Sequence, residues 1–161
     1  MKLAKSLDRL GTETAFSVLA EAKKLEATGK PMIHLGLGQP DFKTPKHIVD
    51  AAKKALDDGH HGYVLSNGIL ECRQAVTRKI KKLYNQDIDP ERIIIMPGGK
   101  PTMSYAIQCF GEPGVEIIHP TPAFPIYESM INFTGAKPVP YDLTEDKDLK
   151  FNPEKILSLI T

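Results

Sequence analysis

Eleven residues, Ile93-Ile94-Ile95-Met96-Pro97-Gly98-Gly99-Lys100-Pro101-Thr102-Met103, restrict the possible folds more than any other stretch of the chain. A β-branched run ends at Pro97, two glycines allow a tight turn, and Pro101 stands where a helix tolerates proline best, in its first turn. Met103, Ala106, Ile107 and Phe110 then recur at i, i+3, i+4 and i+7, one face of a helix. Strand, glycine turn and helix start together suit an anion. Backbone N–H groups converge there, the helix dipole adds partial positive charge, and glycine lets the main chain approach closely. The same layout also serves as a plain packing turn in α/β domains. It is not a nucleotide P-loop, because Ile94 occupies the place of that motif's first glycine and Pro101 follows the lysine.

A chain of 161 residues suffices for one domain with a core of its own. Its formal net charge is +1 with dispersed basic residues, which predicts no nucleic-acid and no membrane-surface partner. No apolar run reaches the length of a membrane span, and the N-terminus lacks a signal-peptide core, so the reading is cytoplasmic. Cys72 and Cys109 fall on apolar faces of predicted helices and are expected to be buried, reduced thiols. No cluster has metal-ligand spacing; the adjacent His60 and His61 cannot share a helical face and read as loop residues.

In chain order, residues 1–12 are polar and expected to be loosely ordered. A helix is predicted from Glu13 to Thr28, stopped by Gly29, followed by a short extended piece at Met32–Leu35. Thr44 and Pro45 read as N-cap and first residue of a helix to Asp57, with Ile48, Ala52, Ala55 and Leu56 facing inward. Another helix is predicted from Ile69 to Tyr84, with Ile69, Cys72, Val76, Ile80 and Leu83 on its apolar face. Beyond Phe110 come a strand at Val115–His119, a helix at Ile126–Phe133 closed by Gly135, and a strand at Lys137–Tyr141. The alternating Pro138 and Pro140 argue for an edge or irregular position of that strand. A last helix starts at Asn152-Pro153. Strands alternating with helices predict an α/β fold, a largely parallel sheet with helices on both faces.

Taken singly, the notable residues have ordinary readings. Gly38, Gly98 and Gly99 could be turn glycines with positive φ, Tyr63 a half-buried tyrosine, Phe124 a core residue, and Lys100 a solvated lysine near a helix start. Glu71 and Arg73 read as solvated or paired within the fold.

Their order is what carries information. Gly38-Gln39-Pro40-Asp41-Phe42 with Thr44-Pro45, then Tyr63, Gly68 with Glu71 and Arg73, Gly98-Gly99-Lys100, Pro113-Gly114 and Pro120-x-Pro122-x-Phe124 follow one another in a fixed series. The series resembles the N-terminal part of class I/II aminotransferases, fold-type I enzymes using pyridoxal 5′-phosphate, and most of all their bacterial aspartate and aromatic branch. The resemblance spans nearly everything after about residue 11. It implies an incomplete fold-type I architecture, with residues 1–41 as N-terminal arm and small-domain segment and 42–161 as the first part of a cofactor-binding large domain.

The resemblance also implies roles. Gly38 would lie beside the substrate α-carboxylate. Gly98, Gly99, Lys100 and Pro101 would form the turn around the cofactor phosphate, and the Phe124 ring would stack on the pyridine. Tyr63 would reach the phosphate of a neighbouring subunit's cofactor, which implies a homodimer with shared sites. Lys100 is also a candidate contact for the distal carboxylate of an acidic substrate. The implied reaction moves an amino group from an amino acid to a 2-oxo acid; alternatives are another pyridoxal-phosphate chemistry on this fold, such as a C–S lyase, or a non-catalytic fragment or pseudoenzyme.

The departures are few. Gln39 stands where the family often has Glu, Val115 replaces an acidic residue, and Cys72 a leucine. The family's Schiff-base lysine and its carboxylate-binding arginine lie further along such chains, so these 161 residues alone are expected to be inactive and poorly soluble.

Overall fold

A computed structural model describes residues 2–11, 15–143 and 149–161 of the chain. In order, a 3₁₀ turn (Lys5–Arg9) precedes α1 (Ala15–Glu26), α2 (Lys46–Asp57), α3 (Leu70–Tyr84) and a second 3₁₀ turn (Pro90–Arg92). Then follow α4 (Gly99–Phe110), β1 (Glu116–Thr121), α5 (Ile126–Thr134), β2 (Lys137–Asp142) and α6 (Pro153–Leu157). The chain divides into two compact units, one comprising Met1–Gly36 with Gly98–Thr161, the other Leu37–Pro97. No helix among the described residues is long and apolar enough to cross a membrane.

In the first unit, β1 and β2 pair in parallel, with Glu116 opposite Lys137 and Thr121 opposite Asp142. Parallel strands need a crossover, and α5 provides it. This helix packs on both strands, on α4 and on the first 3₁₀ turn. The core lies along it: Ile131 is fully buried, and Met130, Ala136 and Tyr141 are nearly so. The Tyr141 hydroxyl accepts from the Asn152 N–H at 2.7 Å and its ring stacks on Phe151, which ties the approach to α6 onto β2. Asn152 then caps α6 by accepting from the N–H groups of Glu154 and Lys155.

The prolines of β2 sit where the ladder can spare their missing N–H. Lys137 N–H donates to Val115 O and Leu143 N–H to Thr121 O, both at 2.8 Å. Alternate residues of a strand face the same neighbour, so the odd positions bond β1 while Pro138 and Pro140 face away from it. An edge facing outward with two prolines offers no template to another strand.

The second unit is organised around Arg73, which is 2% exposed. Its guanidinium donates to Gly68 O (3.2 Å), to Pro90 O (2.9 Å) and to the Glu91 carboxylate (2.7 Å), joining the turn before α3 to the second 3₁₀ turn. Ile95 N–H bonds Asn67 O at 3.1 Å in the same region. Gly68 is obligatory here: its φ is +93°, and a Cβ would lie 2.7 Å from Ile95 Cγ1.

The elements correct several expectations. The arm is not loose where described: residues 5–9 form the 3₁₀ turn, and the Arg9 side chain bonds α5. Ile93–Met96, the β-branched run, is not a strand, because a segment becomes a strand only when a neighbour supplies a ladder. Helix α1 ends as predicted near Gly29; Glu13 and Thr14, the expected start, lie outside the described residues. Pro45 rather than Thr44 is the N-cap of α2, since proline's fixed φ is compatible with the extended cap conformation. Helix α4 begins at Gly99, two residues ahead of Pro101, which remains inside the first turn. Ile48, Ala52 and Leu56 are exposed, Cys72 is half-buried and Cys109 exposed: helical periodicity identifies the face that favours cover, not what covers it.

Candidate functional site

The candidate site is built on the N-terminus of α4. Gly98 is the N-cap, at φ +109° and ψ 167°, a conformation open to glycine and strained for any residue with a Cβ. It has no side chain with which to cap the helix. Its carbonyl accepts from the Thr102 hydroxyl at 3.0 Å, which fastens the turn to the helix it opens. A Cβ at Gly98 would meet only Pro101 Cδ at 3.9 Å, and one at Gly99 only Met103 Cε at 3.9 Å. No other described atom crowds the two glycines. Of the three glycines singled out above, only Gly98 has a positive φ; Gly99 is the first helical residue, and Gly38 is not left-handed.

Lys100 follows at the second position of the helix. Its ammonium lies 5.5 Å from the Phe16 ring centroid on α1 and 5.4 Å from the Phe124 ring centroid, so one cation contacts two aromatic faces. Phe124 reaches this place from β1 through a cis Thr121–Pro122 peptide, and its ring meets Tyr127 edge-on at 6.5 Å. The ring is 39% exposed, so part of it is available to a ligand. A groove of 460 Å³ beside the helix start is lined by Lys100, Pro101 and Tyr105 together with Leu10 and Met130.

Electrostatically, the start of α4 concentrates positive charge: the helix dipole, no acidic residue in the first turn, and an ammonium one residue past Gly99. Such a terminus is chemically suited to a phosphate or carboxylate, and the Phe124 ring to an aromatic ring adjoining it. Gly98, Gly99, Lys100, Pro101 and Phe124 thus come together in one unit. Gly38 and Tyr63 belong to the other; Tyr63 is fully exposed there, and a Cβ at Gly38 would touch nothing within 4 Å. Among the described residues no group of His, Cys, Asp and Glu could hold a metal ion.

Phe16 was legible only as one of a helix's apolar residues, and its place over Lys100 has no local sequence signal. Arg73 is fully enclosed rather than simply paired.

The family profile described as "Aminotransferase class I and II" matches residues 30–161. Aspartate aminotransferase of Bacillus subtilis (strain 168) is 36% identical over 161 residues, covering 100% of this chain and 41% of that protein. The (5-formylfuran-3-yl)methyl phosphate transaminase of Methanocaldococcus jannaschii is 41% identical over 142 residues, 88% of this chain and 38% of that one. Among solved structures, aspartate aminotransferase from Thermus thermophilus with maleate superposes with a TM-score of 0.91 at 29% identity, covering 100% of this chain and 42% of its own. The chain therefore spans about two fifths of the length of the relatives it matches.

Proposed function

This chain belongs to the class I and II aminotransferase family, and from that premise we propose that the whole protein transfers an amino group between an amino acid and a 2-oxo acid with pyridoxal 5′-phosphate. The observation that carries the proposal is the start of α4: an uncrowded Gly98-Gly99 turn at a helix N-terminus, with Lys100 and the Phe124 ring side by side next to it. That arrangement fits a cofactor consisting of a phosphate attached to an aromatic ring. When bound, the cofactor supplies an electron sink for the amino acid's α-carbon.

The chain's own residues hold and orient it. Main-chain N–H groups at Gly99 and Lys100 would hold the phosphate, pre-aligned by the helix so that little reorganisation would accompany binding. The partly exposed Phe124 ring would offer its flat apolar face to the pyridine and keep water from that side. The Lys100 ammonium, held between two rings, offers a positive group to the phosphate or to the distal carboxylate of an acidic substrate. Gly38 lies beside the substrate α-carboxylate, and Tyr63 reaches the cofactor phosphate of a second subunit in a homodimer. Residues 1–41 serve as arm and small-domain segment, 42–161 as the beginning of the cofactor-binding domain, and the protein acts in the cytoplasm.

Phosphorus NMR of the whole protein with pyridoxal phosphate, free and with Gly98→Ala, tests this reading. The expected result is a bound phosphate resonance in the natural protein that weakens or broadens in the variant. A bound resonance identical in both would refute the assignment of the phosphate to this turn. An absence of binding by the natural protein would refute the cofactor.

A further inference from the structure

Helix α5 has no basic residue in its last turn, yet its C-terminal carbonyls are met by a cation. Arg9, on the N-terminal arm, donates from Nε to Asn132 O at 2.8 Å and from Nη2 to Phe133 O at 2.7 Å. One planar guanidinium thus bonds two successive carbonyls at the negative end of a helix whose residues lie more than 120 positions away in sequence. Two residues on, Gly11 N–H donates to Ser129 Oγ at 3.0 Å, one turn earlier on the same helix. The arm is fastened at two points along α5.

Both ends of this fastening lead to the surroundings of Lys100. Helix α5 starts at Ile126, two residues after Phe124. On the arm, Leu10, between the two fastened residues, lines the groove beside the start of α4 together with Lys100, Pro101 and Met130 of α5. The Phe16 and Phe124 rings are the two faces that hold the Lys100 ammonium. Fixing the arm on α5 therefore fixes Leu10 beside the start of α4.

Resting on the function proposed above, we propose that Arg9 is a positioning residue, one that clamps the N-terminal arm to α5 and so holds Leu10 against the start of α4, beside the Lys100–Phe124 pair against which the cofactor binds. It touches neither cofactor nor substrate. Its contribution is to keep the start of α4 assembled before the cofactor arrives, which lowers the ordering cost of binding.

Arg9→Ala, Arg9→Lys and Ser129→Ala in the whole protein test the clamp with two readouts. The first is amide hydrogen exchange in the cofactor-free protein, at Gly11 and in the last turn of α5. The second is the dissociation constant for pyridoxal phosphate, followed by absorbance. Arg9→Ala is expected to speed exchange at those amides and to weaken cofactor binding about tenfold, the effect of two lost charge-assisted hydrogen bonds partly replaced by water. Arg9→Lys should recover part of both, because an ammonium cannot match the guanidinium fork on two carbonyls. Ser129→Ala removes the second fastening and should act in the same direction more weakly, so the test stands even where Arg9→Ala folds poorly. Unchanged exchange, or faster exchange with unchanged cofactor affinity, would overturn the positioning role. A natural protein that binds no pyridoxal phosphate while its exchange still responds to Arg9 would instead overturn the functional reading on which the role rests.

Discussion

The ammonium of Lys100 lies 5.4 Å from the centre of the Phe124 ring, and the two residues reach that position from different elements, one from the start of α4 and one from the turn after β1. Each alters the other's chemistry. The ring gives the cation an attractive face worth roughly 0.5–1 kcal/mol at a partly exposed site. The cation in turn makes that side of the ring attractive to an anion bound across both.

Lys100→Ala is expected to reduce turnover of an acidic amino acid more than that of an aromatic one, since only the former has a distal carboxylate to lose its partner. Loss of one charge-assisted hydrogen bond predicts a differential of about tenfold or more in kcat/KM. Steady-state kinetics with aspartate and phenylalanine measure it. Equal losses on both substrates would remove the specificity role and leave Lys100 to the cofactor phosphate alone.

Phe124→Leu keeps an apolar side chain of similar reach and removes the flat ring. Cofactor affinity should fall by about threefold to tenfold, corresponding to roughly 0.5–1.5 kcal/mol for an aromatic pair beyond its buried area. Equilibrium titration with pyridoxal phosphate measures it. Affinity equal to that of the natural protein would mean that no ring stacks there.

Arg73→Met should be among the most destabilising substitutions in the chain. The variant fills much of the volume but leaves Gly68 O and Pro90 O without their donor, and a buried unsatisfied carbonyl costs about 1–3 kcal/mol. Urea unfolding of the whole protein is expected to show a loss of about 3 kcal/mol. Glu91 is the control. Its carboxylate is 68% exposed, so Glu91→Gln should cost less than about 1 kcal/mol. A larger effect from Glu91→Gln than from Arg73→Met would show that the ion pair, and not the pair of carbonyl bonds, holds the turn.

Glu116 supplies a pH-dependent contact between the two strands. Hydrogen bonds from the Lys137 ammonium at 2.6 Å and the Thr161 hydroxyl at 3.1 Å hold its carboxyl below the ordinary carboxylate range. A carboxyl lowered in the folded chain stabilises the fold at every pH above its unfolded value. It loses that contribution as pH falls through the folded value. The stability difference between natural protein and Glu116→Gln should therefore be constant near neutrality, shrink in acid, and diminish with added salt, as fits a surface pair. A difference that grew on acidification would reverse the sign of the assignment.

Much of this architecture follows from local chemistry that the residues carry with them. The glycine at position 98, the apolar period of α4 and the Asn152-Pro153 helix start each act within a few bonds of themselves, so they are readable one at a time. The edge position of β2 was legible for the same reason: a proline lacks its N–H wherever the strand is placed, and the parallel register with β1 then puts both prolines on the outer side. The family series from Gly38 to Phe124 was also carried by sequence order alone.

Other relationships depend on groups that leave no local trace. Nothing around Arg9 indicates that it will bond the carbonyls of Asn132 and Phe133, because every residue has a carbonyl and only the path of the chain brings those two within reach. The enclosure of Arg73 and the meeting of Phe16, Lys100 and Phe124 have the same origin. The run at Ile93–Met96 shows the complementary limit: β-branched sequence sets the backbone's preference, but a strand exists only where a partner's donors and acceptors complete its ladder. Conformation within a few residues is decided by sterics and capping, which the sequence alone determines; the pairing of distant groups is decided by packing, which only the tertiary structure supplies.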